Sequence, residues 1–375
     1  MVVRRHAEIA GAGFAGLVAA TALCQRGWTV TVHESSPVLR AFGAGIFIWE
    51  NGLRVLKAIG AYDCVIAKAH EGVSYETRNR DKLVSEFRFT PDQGTRMMTM
   101  TRQHLYGCII AAAERAGVVI KTNSEVIGAT PKGVLLTADG GKHHADLVIG
   151  ADGVRSKVRD SLGLLKERNS HADGIVRVLT PRMKKELGEG NWDHVIDFWN
   201  LPGSPLRILY VPCNEDDLYL AMMAPVGDRA SRLPLDHDLW VEAFPQLEPV
   251  IRKVTAGGRY DAYETSKLIR WSSGRVAIIG DAAHAMAPTL GQGAGVAIMN
   301  ALSLAAAVDG ADDLDATLKV WEDRERPLTE YTQDTSAQVA RERKNSYGQI
   351  WDGAALRTAR HIPTGTEHLP SLIAA

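Results

Sequence analysis

Ala7-Glu8-Ile9-Ala10-Gly11-Ala12-Gly13-Phe14-Ala15-Gly16 is the stretch that decides the fold. Residues 7–10 read as a short buried strand, and three glycines follow at the spacing G-x-G-x-x-G. Gly11 permits a tight turn, Gly13 lets backbone approach a pyrophosphate, and Gly16 lets helix and strand pack closely. Over residues 14–26 the apolar residues recur at helical period, with Leu17, Ala20, Leu23 and Cys24 on one face, and Gly27 ends the run. Residues 29–33 alternate as a second strand and deliver Glu34, a carboxylate placed to accept from both hydroxyls of an unphosphorylated ribose. Strand, helix, strand and acid in this order predict a dinucleotide-binding unit rather than a ligand-free glycine turn. The unit alone leaves FAD and NAD both open.

Two later stretches narrow the choice. Gly150-Ala151-Asp152-Gly153 follows a buried run, and so does Gly280-Asp281-Ala282-Ala283-His284, which leads to Pro288 and Gly291-Gln292-Gly293-Ala294-Gly295. A carboxylate at Asp281 suits a ribityl hydroxyl. The glycines at 291, 293 and 295 open an apolar helix whose N-terminus favours negative charge on whatever lies beyond. Three contacts in this order describe one extended cofactor, FAD. His284 has no partner at metal-ligand spacing and reads as a packed, hydrogen-bonded histidine; no metal site is expected.

Composition bounds the remaining readings. The chain has 375 residues, and its 43 basic and 44 acidic side chains leave a net charge of −1, which argues against a general nucleic-acid binder. Cys24, Cys64, Cys108 and Cys213 are widely spaced and read as four reduced thiols of a cytoplasmic protein. The longest apolar run, residues 293–308, is too short to span a bilayer and reads as a buried helix. Further helices are expected at 52–59, 103–115 and 314–346, and strands at 118–121, 135–137 and 147–149 in the same layer as the first two. Strand-like runs at 175–179, 195–199, 207–211 and 218–223 predict a second, mixed or antiparallel sheet. The residues after Thr358 read as a loose tail. The fold class is α/β with α+β character. A Rossmann-like FAD-binding domain (1–70, 95–170 and 268–322) carries an inserted substrate domain (71–94 and 171–267). A C-terminal helix and tail follow at 323–375. The triplet Tyr-Glu-Thr occurs at 75–77 and again at 263–265, which chance can produce.

These motifs together resemble those of the class A flavoprotein aromatic hydroxylases, the p-hydroxybenzoate hydroxylase group. Leu39-Arg40-Ala41-Phe42-Gly43-Ala44-Gly45-Ile46 is similar to that family's glycine-rich segment beside the flavin. Asp152 to Arg159 is similar to its Asp-Gly motif, and Thr101-Arg102-Gln103 carries its FAD-contacting arginine. The resemblance implies FAD contacts at Gly11, Gly13, Phe14, Ala15, Gly16, Glu34, Arg40, Gly45, Arg102, Asp152, Gly280, Asp281, Pro288, Gly291, Gly293 and Ala294.

Pro181 to Gly188 and Ile208 to Asn214 point within the family to the branch that acts on hydroxypyridine carboxylates. That implies oxygenation by a flavin C4a-hydroperoxide, with NADH or NADPH as transient co-substrate, followed by ring opening. The implied substrate is 2-methyl-3-hydroxypyridine-5-carboxylate or an analogue such as 5-hydroxynicotinate. Arg207 and Tyr219 then match residues holding the substrate carboxylate and ring. Arg177, Tyr75 and Pro288 match other pocket positions, and Phe47 stands where a tyrosine is expected. From spacing alone, an inward strand arginine such as Arg207 equally suits a salt bridge within the sheet. Other readings of the same motifs are a simple hydroxylase of 6-hydroxynicotinate or salicylate type, a flavin-binding protein without catalysis, and an NAD-dependent dehydrogenase. The partner expected is a small aromatic carboxylate, with no nucleic acid and no membrane.

Overall fold

In the computed structural model the glycine stretch folds as its pattern dictates. The structure describes residues 4–39, 44–90, 94–203, 205–255, 258–346 and 353–373, so Arg40 lies outside the described residues. The strand His6–Ala10 pairs in parallel with Thr29–His33 on one side and with Leu147–Gly150 on the other. Val119–Lys121 and Val276–Ile278 extend this sheet in parallel, and Ser272–Ser273 adds a sixth, antiparallel edge strand. Parallel strands are covered on both faces, hence the continuous apolar runs Leu147–Gly150 and Val276–Ile278.

The helix Phe14–Gln25 starts directly from the glycine loop and packs against Gly293–Val308. Gly11 has φ +94°, and a Cβ there would lie 2.5 Å from the Ala151 carbonyl oxygen. A Cβ on Gly16 would lie 2.0 Å from the Gly11 oxygen. The first two glycine motifs therefore touch backbone to backbone, and no larger residue fits between them.

The strand expected at 135–137 forms, as Val134–Thr137, but in a different layer. It is the centre of an antiparallel meander with Val126–Thr130 and Lys142–His144. Only alternate residues of Val134–Thr137 are buried, the mark of a one-sided antiparallel sheet joined by short turns.

A seven-stranded sheet forms the second lobe. Its order is Arg259–Leu268, Leu165–Pro181, Asp217–Pro225, Arg207–Pro212, Val195–Trp199, Ser74–Asn79, Lys82–Arg88, antiparallel except where Val195–Trp199 meets Ser74–Asn79. Side chains alternate between its two faces. Even positions such as Val176, Ile196, Ile208 and Leu220 are buried with Trp240 and Phe244, from the segment that carries the helices His237–Ala243 and Glu248–Ile251. Odd positions such as Ile175, Val211, Tyr219 and Met223 turn to the opposite side, toward the first lobe.

Two further expectations are corrected. The tail is not loose: Thr358, Ala359, Thr366 and Leu372 are buried. The Arg54 guanidinium donates to the backbone oxygens of Thr366 (2.7 Å), Leu369 (3.0 Å) and Pro370 (3.2 Å). Nor are all four cysteines reduced, because Cys64 and Cys108 form a disulfide. It joins the helices Tyr62–Ile66 and Arg102–Arg115, which pack together although the two thiols are 44 residues apart in sequence. Among the described residues no helix is long and apolar enough to cross a membrane.

His284 is packed and hydrogen-bonded as expected: it is buried beside Trp271, and the Asn300 amide approaches its Nε2 at 3.1 Å. Burial pulls its pKa down to about 4. A depressed folded-state value means the neutral ring is what the fold holds. Its contribution is complete above the unfolded value and is lost as pH falls through about 6.5 toward about 4. His284→Gln should therefore flatten the loss of stability between those pH values by up to about 3 kcal/mol, read from urea unfolding at each pH.

Candidate active site

The two lobes enclose a cavity of about 340 Å³. On the first-lobe side it is bounded by Gly13, Phe14, Gly153, Asp281, Gly293 and Ala294. The opposing wall is the odd-numbered face of the seven-stranded sheet, and Gly45, Phe47 and Arg102 join the two.

Two helices aim their N-termini into this space. Phe14–Gln25 begins at Gly13 and Gly293–Val308 at Gln292; neither has a side-chain cap or an acidic residue in its first turn. First-turn amides need an acceptor, and two bare helix starts create positive potential. A Cβ on Gly13 would meet nothing within 4 Å, so the loop opens freely onto the groove. Asp281 is exposed on the cavity side, where neighbouring protein withdraws part of its water. That partial desolvation pushes its carboxyl above the ordinary range, with Arg102 and Arg177 opposing. Bare amides for phosphates and an acceptor for hydroxyls fit a flavin dinucleotide.

Other expected cofactor residues are already engaged. Glu34, at the end of Thr29–His33, accepts from the Ala12 amide (3.0 Å) and the Ser36 amide (2.8 Å). Asp152 accepts from the Ser156 hydroxyl (2.5 Å) and the amides of Lys157 and Val158, starting the helix Lys157–Ser161. Its neighbour Gly153, rather than Asp152, lines the cavity. Arg102 opens the helix Arg102–Arg115, and its guanidinium lies 5.1 Å over the Phe14 ring. Burial lowers its pKa, Arg177 adds to the effect and Asp281 opposes it. Pro288, Gly291, Gly293 and Ala294 line the cavity beside Phe47.

The sheet wall carries the polar residues. Tyr75, Arg177, Arg207 and Tyr219 come from four different strands, yet all line the cavity. The Tyr219 side chain rests on the strand Gly45–Trp49, where a Cβ on Gly45 would lie 2.5 Å from the Tyr219 Cβ and 2.6 Å from its ring Cδ1. Arg177 pairs with Asp261 and reaches Tyr219. Burial lowers the Arg177 pKa, but Tyr219 and Asp261 outweigh it and leave the value raised. Arg207 is ion-paired with Asp197 through Nε, so the in-sheet salt bridge is present for that edge of the guanidinium.

Two participants were not singled out from sequence. Asp197 is the one acid in the buried strand Val195–Trp199, and a carboxylate in such a run demands a partner. Tyr263 belongs to the second Tyr-Glu-Thr triplet and lines the same cavity as Tyr75 of the first. Burial pushes its hydroxyl pKa up, against Arg207 and Arg177.

The sequence profile described as FAD binding domain matches residues 5–311, and the chain belongs to that family: it is an FAD-dependent monooxygenase of the class A flavoprotein aromatic hydroxylase type. Among solved structures it is similar to 2-methyl-3-hydroxypyridine-5-carboxylic acid oxygenase. A single-site mutant of that enzyme is 49% identical with a TM-score of 0.92, over 96% of this chain and 97% of that one. It is also 40% identical to 2-heptyl-3-hydroxy-4(1H)-quinolone synthase of Mycobacteroides abscessus, over 88% of each chain. It is 28% identical to 6-hydroxynicotinate 3-monooxygenase of Pseudomonas fluorescens, over 79% of this chain and 80% of that one.

Gly45→Ala should displace the Tyr219 ring by overpacking, at a cost of about 1–3 kcal/mol in urea unfolding. A structure of the variant with the ring unmoved would contradict that packing.

Proposed function

We propose that this enzyme oxygenates and opens the ring of a hydroxypyridine carboxylate. The substrate we favour is 2-methyl-3-hydroxypyridine-5-carboxylate or a close analogue such as 5-hydroxynicotinate. The observation that carries the reading is the cavity wall, where Arg207 and Arg177 stand among Tyr75, Tyr219 and Tyr263. Such a wall suits a small planar acid bearing a hydroxyl group. The similarity to 2-methyl-3-hydroxypyridine-5-carboxylic acid oxygenase supports it.

In this reading the glycine loop and the start of Phe14–Gln25, with Arg102, would hold the FAD phosphates. Glu34 would accept from the adenosine ribose, Asp281 would take a ribityl hydroxyl, and Gly293 and Ala294 would receive the ring end. Bound FAD supplies the redox chemistry, using two electrons from NADH or NADPH to deliver one oxygen atom of O2 to the substrate. Arg207 grips the substrate carboxylate and fixes which ring carbon is presented. Tyr219 braces the ring, and Arg177 adds positive potential. The walls exclude water from the reacting face. Phe47 removes a hydroxyl expected at the pocket edge and leaves that side apolar.

A second reading keeps the cofactor and changes the substrate. Ile175, Leu209, Ala221 and Met223 also line the cavity, and this apolar strip suits a larger heteroaromatic ring, as in the quinolone synthase relative. Product mass separates the two. Ring opening adds one oxygen atom plus one water, whereas hydroxylation adds one oxygen atom alone.

The direct test is Arg207→Lys, which keeps a cation beside Asp197 but removes the planar fork. KM for 5-hydroxynicotinate should rise roughly 10- to 150-fold, the loss of about 1.5–3 kcal/mol in charged hydrogen bonding, with the flavin spectrum unchanged. An unaltered KM would refute the carboxylate assignment.

A further inference from the structure

Asp197 is the most deeply placed charge in the active-site lobe. Its residue has 0% exposure and sits in the middle of Val-Ile-Asp-Phe-Trp, a strand buried along its whole length. A lone carboxylate there would cost several kcal/mol, so its partners must justify it. One oxygen takes the Nε–H of Arg207, and the other accepts from the Tyr75 hydroxyl at 3.1 Å. The Trp199 side chain donates a further bond, and the Arg207 guanidinium lies 5.1 Å over the Trp199 ring. Three groups around the substrate wall thus converge on one acid that does not itself line the cavity.

The remaining donors of Arg207 show what the arrangement achieves. Among the described residues, one terminal nitrogen reaches the Met223 sulfur at 3.0 Å and the other reaches the Tyr75 oxygen at 3.5 Å. A thioether is a weak acceptor, and 3.5 Å is the limit of a hydrogen bond. The inner edge of the guanidinium is fully used, while its outer end has no strong partner. That outer end is the geometry that takes a planar carboxylate with two parallel bonds.

We propose that Asp197 is the positioning residue for substrate recognition, holding Arg207 by its Nε edge so that its two terminal nitrogens are presented to the substrate carboxylate. The same acid accepts the hydrogen bond of the Tyr75 hydroxyl, so the phenol oxygen can accept in turn from a substrate hydroxyl or N–H. An unanchored arginine side chain would lose rotamer freedom on binding; here that ordering is done in advance. The inference rests on the carboxylate reading of the cavity.

The test compares 5-hydroxynicotinate with 5-hydroxynicotinamide, which differ only in acid against amide. Wild-type protein should prefer the acid in kcat/KM. In Asp197→Asn that preference should fall at least tenfold, mainly through KM, with the flavin spectrum as in wild type. In an Arg207→Lys background, Asp197→Asn should remove little further preference, because it acts through Arg207. If the Asn variant does not retain FAD, Asp197→Glu provides the same comparison, since the acid is kept but displaced by one methylene. Undiminished preference in the Asp197 variants, or an equal loss in both arginine backgrounds, overturns the positioning role. Absence of any preference in wild-type protein overturns the carboxylate reading as well, and is thereby distinguished from failure of Asp197 alone.

Discussion

Everything in the cofactor groove depends on how closely two backbones meet at Gly11, Gly16 and Ala151. With no side chain between them, the helix Phe14–Gln25 is drawn against the end of its own strand, and its first amides are left facing the groove. A methyl group at Gly16 would collide with the Gly11 carbonyl and push that helix start away. The second bare helix start, at Gly293, converges on the same space because its helix packs along the first. The anion-binding character of the groove therefore comes from main chain, and the glycines are what allow it.

The sheet lobe adds selectivity by a different rule. Strand alternation sends even positions into a core with Trp240 and Phe244 and odd positions toward the cavity. Arg177, Arg207 and Tyr219 are neighbours there because three antiparallel strands place 177 opposite 221, 207 opposite 223, and 211 opposite 219. Each of these two arginines is matched by an acid, Asp261 for the half-buried Arg177 and Asp197 for the buried Arg207. The wall can hold several cations in a partly dry space because those acids offset their charge.

Much of this was legible in the residues. The strand-helix-strand unit around Gly11 carries its own periodicity and stops, and the helix over residues 314–346 lies where its polar period places it. Arg177, Arg207, Tyr75, Tyr219 and Phe47 all line one cavity. The misses share a cause. The layer of Val134–Thr137 and the bond between Cys64 and Cys108 are set by contacts between segments far apart in sequence, where local period has no bearing. The C-terminal residues lack apolar periodicity, yet Arg54 secures their carbonyls from a distant helix. Asp197 left a trace that was there to be read, since an acid inside an apolar strand signals a buried pair.

The two-faced sheet also bears on how such enzymes diverge. Positions 175, 207, 209, 221 and 223 touch the cavity, while the residues between them hold the lobe together. Point changes at the former can remodel the chemistry of the pocket wall while the latter keep the scaffold intact. Inserting a single residue in any of these strands would instead exchange the two sets at once and cost the fold. Relatives that share this architecture and carry names for pyridine, nicotinate and quinolone rings are what such a division of labour leads one to anticipate.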